Sequence, residues 1–207
     1  MAEQVKVWEG EFGEGYTKRN VIDWRTRLPA FRHMLQGLGV NRVLEVGCNR
    51  GHNLVAISEI LASDAEVIGV EPNPQALRIA RQSSDRIGVL HGSAYDLPFK
   101  DGYFDLVFTA GVLIHVALGD LPAAIKEIYR VSHRYILAIE YFAEQETIVT
   151  YRGRDDLLWK RNFLMHYQAQ CPDLNVVRTG DWGPRDGFDI TRWWLLENRV
   201  QAGLNRI

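Results

Sequence analysis

Gly47 and Gly51 bracket a short polar loop, Gly47-Cys48-Asn49-Arg50-Gly51, between the apolar run Arg42 to Val46 and a segment where Leu54, Ile57 and Leu61 recur at helical spacing. A switch from strand to helix across glycines lets the main chain turn sharply and lets a ligand approach it, and the following helix N-terminus favours negative groups. Twenty residues after Gly51, Glu71 closes the next apolar run and is followed by Pro72. A carboxylate so placed can accept both hydroxyls of a ribose. Farther on, His115 stands just past one apolar run, and Glu140 and Tyr141 end another. A histidine titrating near pH 6.5 suits proton transfer, although the same residue can equally cap a helix or bond to backbone. Arg152, Arg154, Lys160 and Arg161 offer forked donors for an anionic acceptor, or, with Asp155 and Asp156 among them, a solvated charged face.

The glycine pattern narrows the ligand. A dinucleotide fingerprint needs glycine at positions 47, 49 and 52, where the chain has Gly47, Asn49 and His52. A triphosphate loop needs a Gly-Lys-Ser/Thr end, which Arg50-Gly51-His52-Asn53 lacks. The remaining pattern, Glu45-x-Gly47-x-Asn49-x-Gly51 with Glu71 downstream, fits an adenosyl-type ligand.

The elements that must position these residues alternate. Strands are expected at Arg42 to Val46, Val67 to Val70, Ile87 to His91, Phe104 to Thr109 and Tyr135 to Ile139, each a short apolar run of the kind buried on both faces. Between them lie helical patterns: Pro74 opens one with Ala76, Leu77 and Ala80, and Asp120 can cap another carrying Leu121, Ile125 and Ile128. Ahead of the first strand, Pro29 can open a helix carrying Phe31, Met34, Leu35 and Leu38 that stops at Gly39. A helix is expected between Asp155 and Gln170. Two closing strands, Asn175 to Arg178 and Thr191 to Glu197, have no good helix between them and read as an antiparallel hairpin. The expected fold is α/β: a Rossmann-like, doubly wound seven-stranded sheet with one antiparallel strand in a three-layer α/β/α arrangement. The expected organisation is a single domain over 1–207, with an N-terminal arm and lid at 1–39, a core at 40–140, and an insertion with closing hairpin at 141–207. Within the arm, residues 1 to 25 are polar yet rich in aromatics and glycine, as Trp8 to Asn20 shows, and read either as a docked surface segment or as a lid with Tyr16, Arg19 and Asn20 facing inward.

Composition bounds the rest. The 207 residues are 46% hydrophobic and 24% charged, with 24 basic and 26 acidic side chains. No apolar run approaches the roughly 18 residues of a membrane span, and the near-neutral balance gives no global footprint for nucleic acid. Cys48 and Cys171 form no metal-spaced pair, so no metal and a reducing cytoplasmic setting are expected.

Four stations in order, Leu44-Glu45-Val46-Gly47-Cys48-Asn49-Arg50-Gly51, Gly69-Val70-Glu71, Gly92-Ser93-Ala94 with Leu97-Pro98-Phe99, and Phe104-Asp105-Leu106-Val107 with His115-Val116, resemble the class I S-adenosylmethionine-dependent methyltransferases over residues 40 to 140. Asn49 stands in place of the central glycine and Ser93 where the family often has Asp. The Trp-x-Gly-x-Phe-Gly-x-x-Tyr-x-x-Arg-Asn start, Gly111 to His115, Glu140-Tyr141 and Tyr151-Arg152-Gly153 further resemble methylases associated with pseudaminic acid biosynthesis. The resemblance implies S-adenosyl-L-methionine as cofactor. Glu45, Gly47, Asn49 and Gly51 would shape the methionine pocket, Glu71 and Pro72 the ribose side, and Ser93 and Ala94 the adenine. Ala110 would carry a carbonyl near the sulfonium, and Tyr16, Arg19 and Asn20 would close the site. His115, Glu140 and Tyr141 would serve catalysis, and Tyr151, Arg152 and Arg161 the acceptor. The expected reaction is methyl transfer to oxygen or nitrogen of a small polar metabolite, a sugar or sugar acid, by a monomer or homodimer without nucleic-acid or membrane partners. The alternatives are an RNA or protein methyltransferase and a non-catalytic S-adenosylmethionine-binding subunit.

Overall fold

The structure, a computed structural model, describes residues 3–198; the end of the expected closing segment, 199–207, lies outside them. The five apolar runs form parallel strands β1 (Arg42–Val46), β2 (Glu66–Glu71), β3 (Gly88–His91), β4 (Phe104–Ala110) and β5 (Ser132–Glu140). β1, β2, β4 and β5 have core on both sides because alternate side chains face opposite layers, whereas the edge strand β3 buries only Val89. In β5, for example, Tyr135, Leu137 and Ile139 point into one cluster and Ile136 and Ala138 into the other.

One layer is built by α3 (Leu28–Leu35), α4 (His52–Ser58) and α5 (Pro74–Arg81), whose Phe31, Met34, Leu54, Ile57, Leu77 and Ala80 pack against the sheet. The opposite layer is α6 (Leu121–Val131) and α7 (Phe163–Gln170), contributing Leu121, Ile125, Ile128, Phe163 and Tyr167. Between α6 and α7 lies a small two-stranded ribbon, β6 (Thr147–Ile148) with β7 (Trp159–Lys160), which carries no alternation signal strong enough to read from the sequence. The last two strands, β8 (Leu174–Trp182) and β9 (Thr191–Asn198), form the expected hairpin. The sheet order is β3-β2-β1-β4-β5-β9-β8, with β9 antiparallel to both neighbours. The fold is therefore the expected seven-stranded, three-layer α/β/α sheet with one reversed strand.

Two local expectations are corrected, and the arm takes a form that the sequence reading left open. The helix opened by Pro29 ends at Leu35, not Gly39, because Gly37 adopts φ +76° and turns the chain. Asp120 precedes α6, but its side chain makes no cap bond; its carbonyl accepts from Ala123 and Ala124. The N-terminal arm is two helices, α1 (Glu3–Glu9) and α2 (Glu11–Arg19), meeting at Gly10. Glycines 10, 13 and 15 argue against helix by propensity, at about 1 kcal/mol each. Packing overrides this at Gly13, where a Cβ would stand 1.8 Å from the Trp8 carbonyl oxygen.

The arm is fastened at several points. Gln4 accepts from the Ala117 amide at 2.9 Å, and Asn73 donates to the Trp8 carbonyl at 2.9 Å while its oxygen caps α5 through the Gln75 and Ala76 amides. Arg50 donates to the Thr17 carbonyl at 3.2 Å. Because a methyl group at Gly13 clashes with backbone rather than a movable side chain, Gly13→Ala should open the α1–α2 corner at about 1–3 kcal/mol of local stability. Limited proteolysis within 3–19 should accelerate while the cooperative melt of the sheet changes little. Unaltered protease resistance of the arm would contradict the packing described.

Candidate functional site

The carboxyl ends of β1, β2, β4 and β5 and the inner face of the arm enclose a cavity of about 620 Å³. Its floor is the glycine loop. Gly47 has φ +76° and a Cβ there would lie 2.6 Å from Val112 Cγ2, so only glycine brings the loop this close to the turn after β4. Asn49 also adopts a left-handed conformation, φ +46°, which asparagine tolerates better than most residues. Its amide donates to Glu71 Oε2 at 2.8 Å, and the Asn73 amide donates to Glu71 Oε1 at 2.9 Å. Glu71 thus joins the loops after β1 and β2, and each of its oxygens keeps a second acceptor site.

Glu45 is buried in β1 and sits at the end of a chain of polar groups. Arg27 donates to Asn53 Oδ1 at 2.6 Å, and Asn53 Nδ2 donates to Glu45 Oε1 at 2.6 Å. A guanidinium can only donate, so the orientation of the Asn53 amide follows from its two neighbours. Glu45 Oε2 and Asn49 Oδ1 are buried and accept no hydrogen bond among the described residues. An unpaired buried acceptor costs about 1–3 kcal/mol, so two lining one cavity are places for a ligand's donors.

Burial dominates the ionisation of the site. It raises Glu45 from 4.5 to about 8 against the opposing effects of Asn53 and Arg27, and raises Glu71 to about 7 against the two amide bonds it accepts. His52 and His115 are pushed down to about 4, again chiefly by burial. His115 Nδ1 lies 2.6 Å from the Leu157 carbonyl, which can only accept, so Nδ1 carries the proton and Nε2 is bare in the neutral ring. Around His115 the arm builds an aromatic wall: the Trp8 ring is 4.5 Å from His115 and 5.4 Å from Tyr16, and Tyr151 is 5.9 Å from His115.

Most of the residues expected from the sequence meet here. Tyr16, Asn20, Glu45, Gly47, Asn49, Glu71, Pro72, Ser93, Ala94 and Ala110 line the cavity, as do His115, Tyr141 and Tyr151. Five do not. Arg19 ends α2 exposed to solvent, and Arg152 is exposed in a left-handed turn at φ +56°. Gly51 lies behind the loop as the N-cap of α4, where a Cβ would approach Ile87 Cδ1 to 3.1 Å. Arg161 is fully buried away from the cavity, bonded to Glu146 and the Val116 carbonyl. Glu140 is likewise fully buried, and its carboxylate accepts the amides of Val112, Leu113 and Ile114 at 3.2–3.3 Å. It is spent on holding the 113–115 turn, and burial raises it to about 7.

Sequence reasoning passed over several lining residues. Asn53, two positions beyond Gly51, had a signal in its closeness to the loop. Arg27 and Asp189 had none, because they arrive from a turn before α3 and from the β8–β9 loop.

Residues 43–134 match the family model described as a methyltransferase domain. An uncharacterised methyltransferase of Schizosaccharomyces pombe is 36% identical over 121 residues, 53% of this chain and 42% of that protein. A demethylmenaquinone methyltransferase of Lactiplantibacillus plantarum is 35% identical over 114 residues, 52% of this chain and 46% of its own. The chain thus spans about half the length of these relatives. Among solved structures, a Burkholderia thailandensis 1,6-didemethyltoxoflavin-N1-methyltransferase with bound 1,6-didemethyltoxoflavin and S-adenosylhomocysteine superposes with a TM-score of 0.69. That match has 14% identity and covers 95% of this chain and 89% of that one. It shows a shared fold.

The raised carboxyls and lowered histidines act on stability in opposite windows. A glutamate raised from 4.5 contributes stability fully present below 4.5 and lost as pH rises through its folded value, here about 7 to 8 for Glu45, Glu71 and Glu140. The histidines contribute stability present above 6.5 and lost as pH falls through about 4. Above pH 6.5 only the carboxyls matter. The melting temperature of the ligand-free protein should therefore fall between pH 6.5 and 8.5, and Glu45→Gln should flatten that fall. A melting temperature that rises across this interval would refute the assignment of these buried acids.

Proposed function

We propose that this chain is an S-adenosyl-L-methionine-dependent methyltransferase acting on oxygen or nitrogen of a small polar acceptor. The observation that carries the reading is the convergence, in one cavity, of the Gly47 cradle, Glu71 and the unpartnered acceptors Glu45 Oε2 and Asn49 Oδ1. These groups suit the ligand: the two spare acceptors match the donors of an ammonium group, and Glu71 matches a ribose diol. The matched methyltransferase domain covers the same loop and strands.

When bound, S-adenosylmethionine supplies an activated methyl carbon on a sulfonium. The chain's own work is then alignment and exclusion of water. Glu45 and Asn49 hold the methionine end, with Ala110 beside them, while Pro72, Ser93 and Ala94 border the adenine. Trp8, Tyr16 and Asn20 cover the cavity from the arm and keep bulk solvent from the reacting atoms. His115 presents a neutral ring to the cavity, with Nε2 as an acceptor for a polar substrate hydrogen.

The resemblance to methylases associated with pseudaminic acid biosynthesis implies a sugar-acid acceptor. An anion of that kind would depend on Arg152 and Arg161, which lie off the cavity. Our reading therefore keeps a small polar acceptor and leaves the acid group out.

Calorimetry with S-adenosylhomocysteine tests the cofactor assignment. Wild-type protein should bind it, and Glu71→Ala should weaken binding by roughly 30-fold or more, the loss of about 2 kcal/mol expected for hydrogen bonds to a charged group. Unchanged affinity in a variant that still melts cooperatively would remove Glu71 from the site. No binding to the wild type would overturn the function.

A further inference from the structure

Three strand spacings, β2 to β1 to β4 to β5, separate the end of β2 from the end of β5. At about 4.8 Å each, Glu71 and Tyr141 stand roughly 14 Å apart along the sheet edge. Glu71 belongs to the half that the proposed function gives to S-adenosylmethionine, so Tyr141 belongs to the other half.

β9 determines what else reaches that half. Because it runs opposite to β5, with Glu140 paired to Arg192, its first residues lie at the edge where β5 ends. The preceding loop carries Asp189 to Tyr141, whose hydroxyl donates to Asp189 Oδ2 at 2.6 Å, the length of a charge-assisted bond. Asp189 Oδ1 accepts no hydrogen bond among the described residues, and both side chains line the cavity. The loop is held from behind: Arg27 Nε donates to the Gly187 carbonyl at 2.8 Å, and a Cβ at Gly187 would stand 2.5 Å from Thr26 Oγ1.

The charges lining the cavity also discriminate. Glu45, Glu71 and Asp189 are acids, and Arg27 is the one guanidinium among the lining residues, already bonded to Asn53 and Gly187. Among the described residues no lysine lines the cavity, and the two lining histidines are held neutral. On the acceptor side an anion would meet the Asp189 carboxylate, while Arg27 has its Nε and one Nη turned to Gly187 and Asn53.

We propose that Asp189 takes the acceptor's proton and that the acceptor is a small, uncharged or cationic molecule presenting an O–H or N–H to it. This rests on the methyltransferase reading. The acceptor's lone pair forms the new bond to the methyl carbon as the carbon–sulfur bond breaks, its electron pair going to sulfur and leaving a neutral thioether. The acceptor's proton passes to Asp189 Oδ1, and the resulting carboxylic acid returns it to solvent at the exposed mouth. Tyr141 is a positioning residue that aims Oδ1 by holding Oδ2.

Benzylamine, benzyl alcohol and benzoate match in size and differ in charge, and can be titrated calorimetrically into protein saturated with S-adenosylhomocysteine. Because Asp189 is exposed, the preference for benzylamine and benzyl alcohol over benzoate should be about fivefold to tenfold. Asp189→Asn should erase it, and Tyr141→Phe should reduce it, with S-adenosylhomocysteine affinity unchanged in both. Equal or tighter binding of benzoate, a preference intact in Asp189→Asn, or failure of all three probes to bind would overturn the proposal. Failure of S-adenosylhomocysteine itself to bind would instead overturn the methyltransferase reading.

Discussion

Three loops over the carboxyl edge of this sheet are held by carboxylates that the strand ends push into the interior. Glu71 accepts one amide from the loop after β1 and one from its own loop. Glu140 accepts three successive amides from the turn after β4. Glu45 reaches α4 through Asn53, and through Arg27 it reaches the turn before α3. The acids trade hydration for one hydrogen bond at Glu45, two at Glu71 and three at Glu140, and burial wins enough to raise all three above their ordinary range. The difference between them is geometric. Glu140 is enclosed by its donors, whereas Glu45 and Glu71 retain acceptor capacity toward the cavity.

The arm completes what the sheet edge begins. Its helices are too short and too glycine-rich to persist alone in water. They are ordered by docking: an aromatic face of Trp8 and Tyr16 against His115, and polar fastenings to Asn73, Ala117 and Arg50. Asn73 caps α5 and holds α1 with the same amide group, using its oxygen for one and its nitrogen for the other. The wall of the cavity is consequently coupled to the integrity of a helix in the core.

The sheet was legible in the sequence because its inner strands are buried on both faces and read as compact apolar runs, as at Arg42–Val46 and Phe104–Ala110. The glycine loop and Glu71 were legible for a related reason: their spacing follows from the strand-turn-helix geometry. The arm was not, since Gly10, Gly13 and Gly15 oppose helix locally, and the reason for Gly13, its close approach to the Trp8 carbonyl, appears only in the packing. Glu140 illustrates a second limit. Its position at a strand end matches that of Glu71, and nothing in the sequence tells which carboxylate will be covered by three amides. Asp189 illustrates a third, because its partnership with Tyr141 spans 48 positions and depends on the direction of β9.

That direction has a consequence for how such a chain can diversify. With every strand parallel, all edge loops would lead into crossover helices, and changing one would disturb the packing of a layer. Reversing β9 gives the edge a loop that leads back through a hairpin, attached to the rest by the 183–187 turn and by Arg27. Its length and side chains can vary while the glycine loop and Glu71 stay as they are. One side of the cavity is thereby constrained by the fold, and the other is free to vary in shape and side chains.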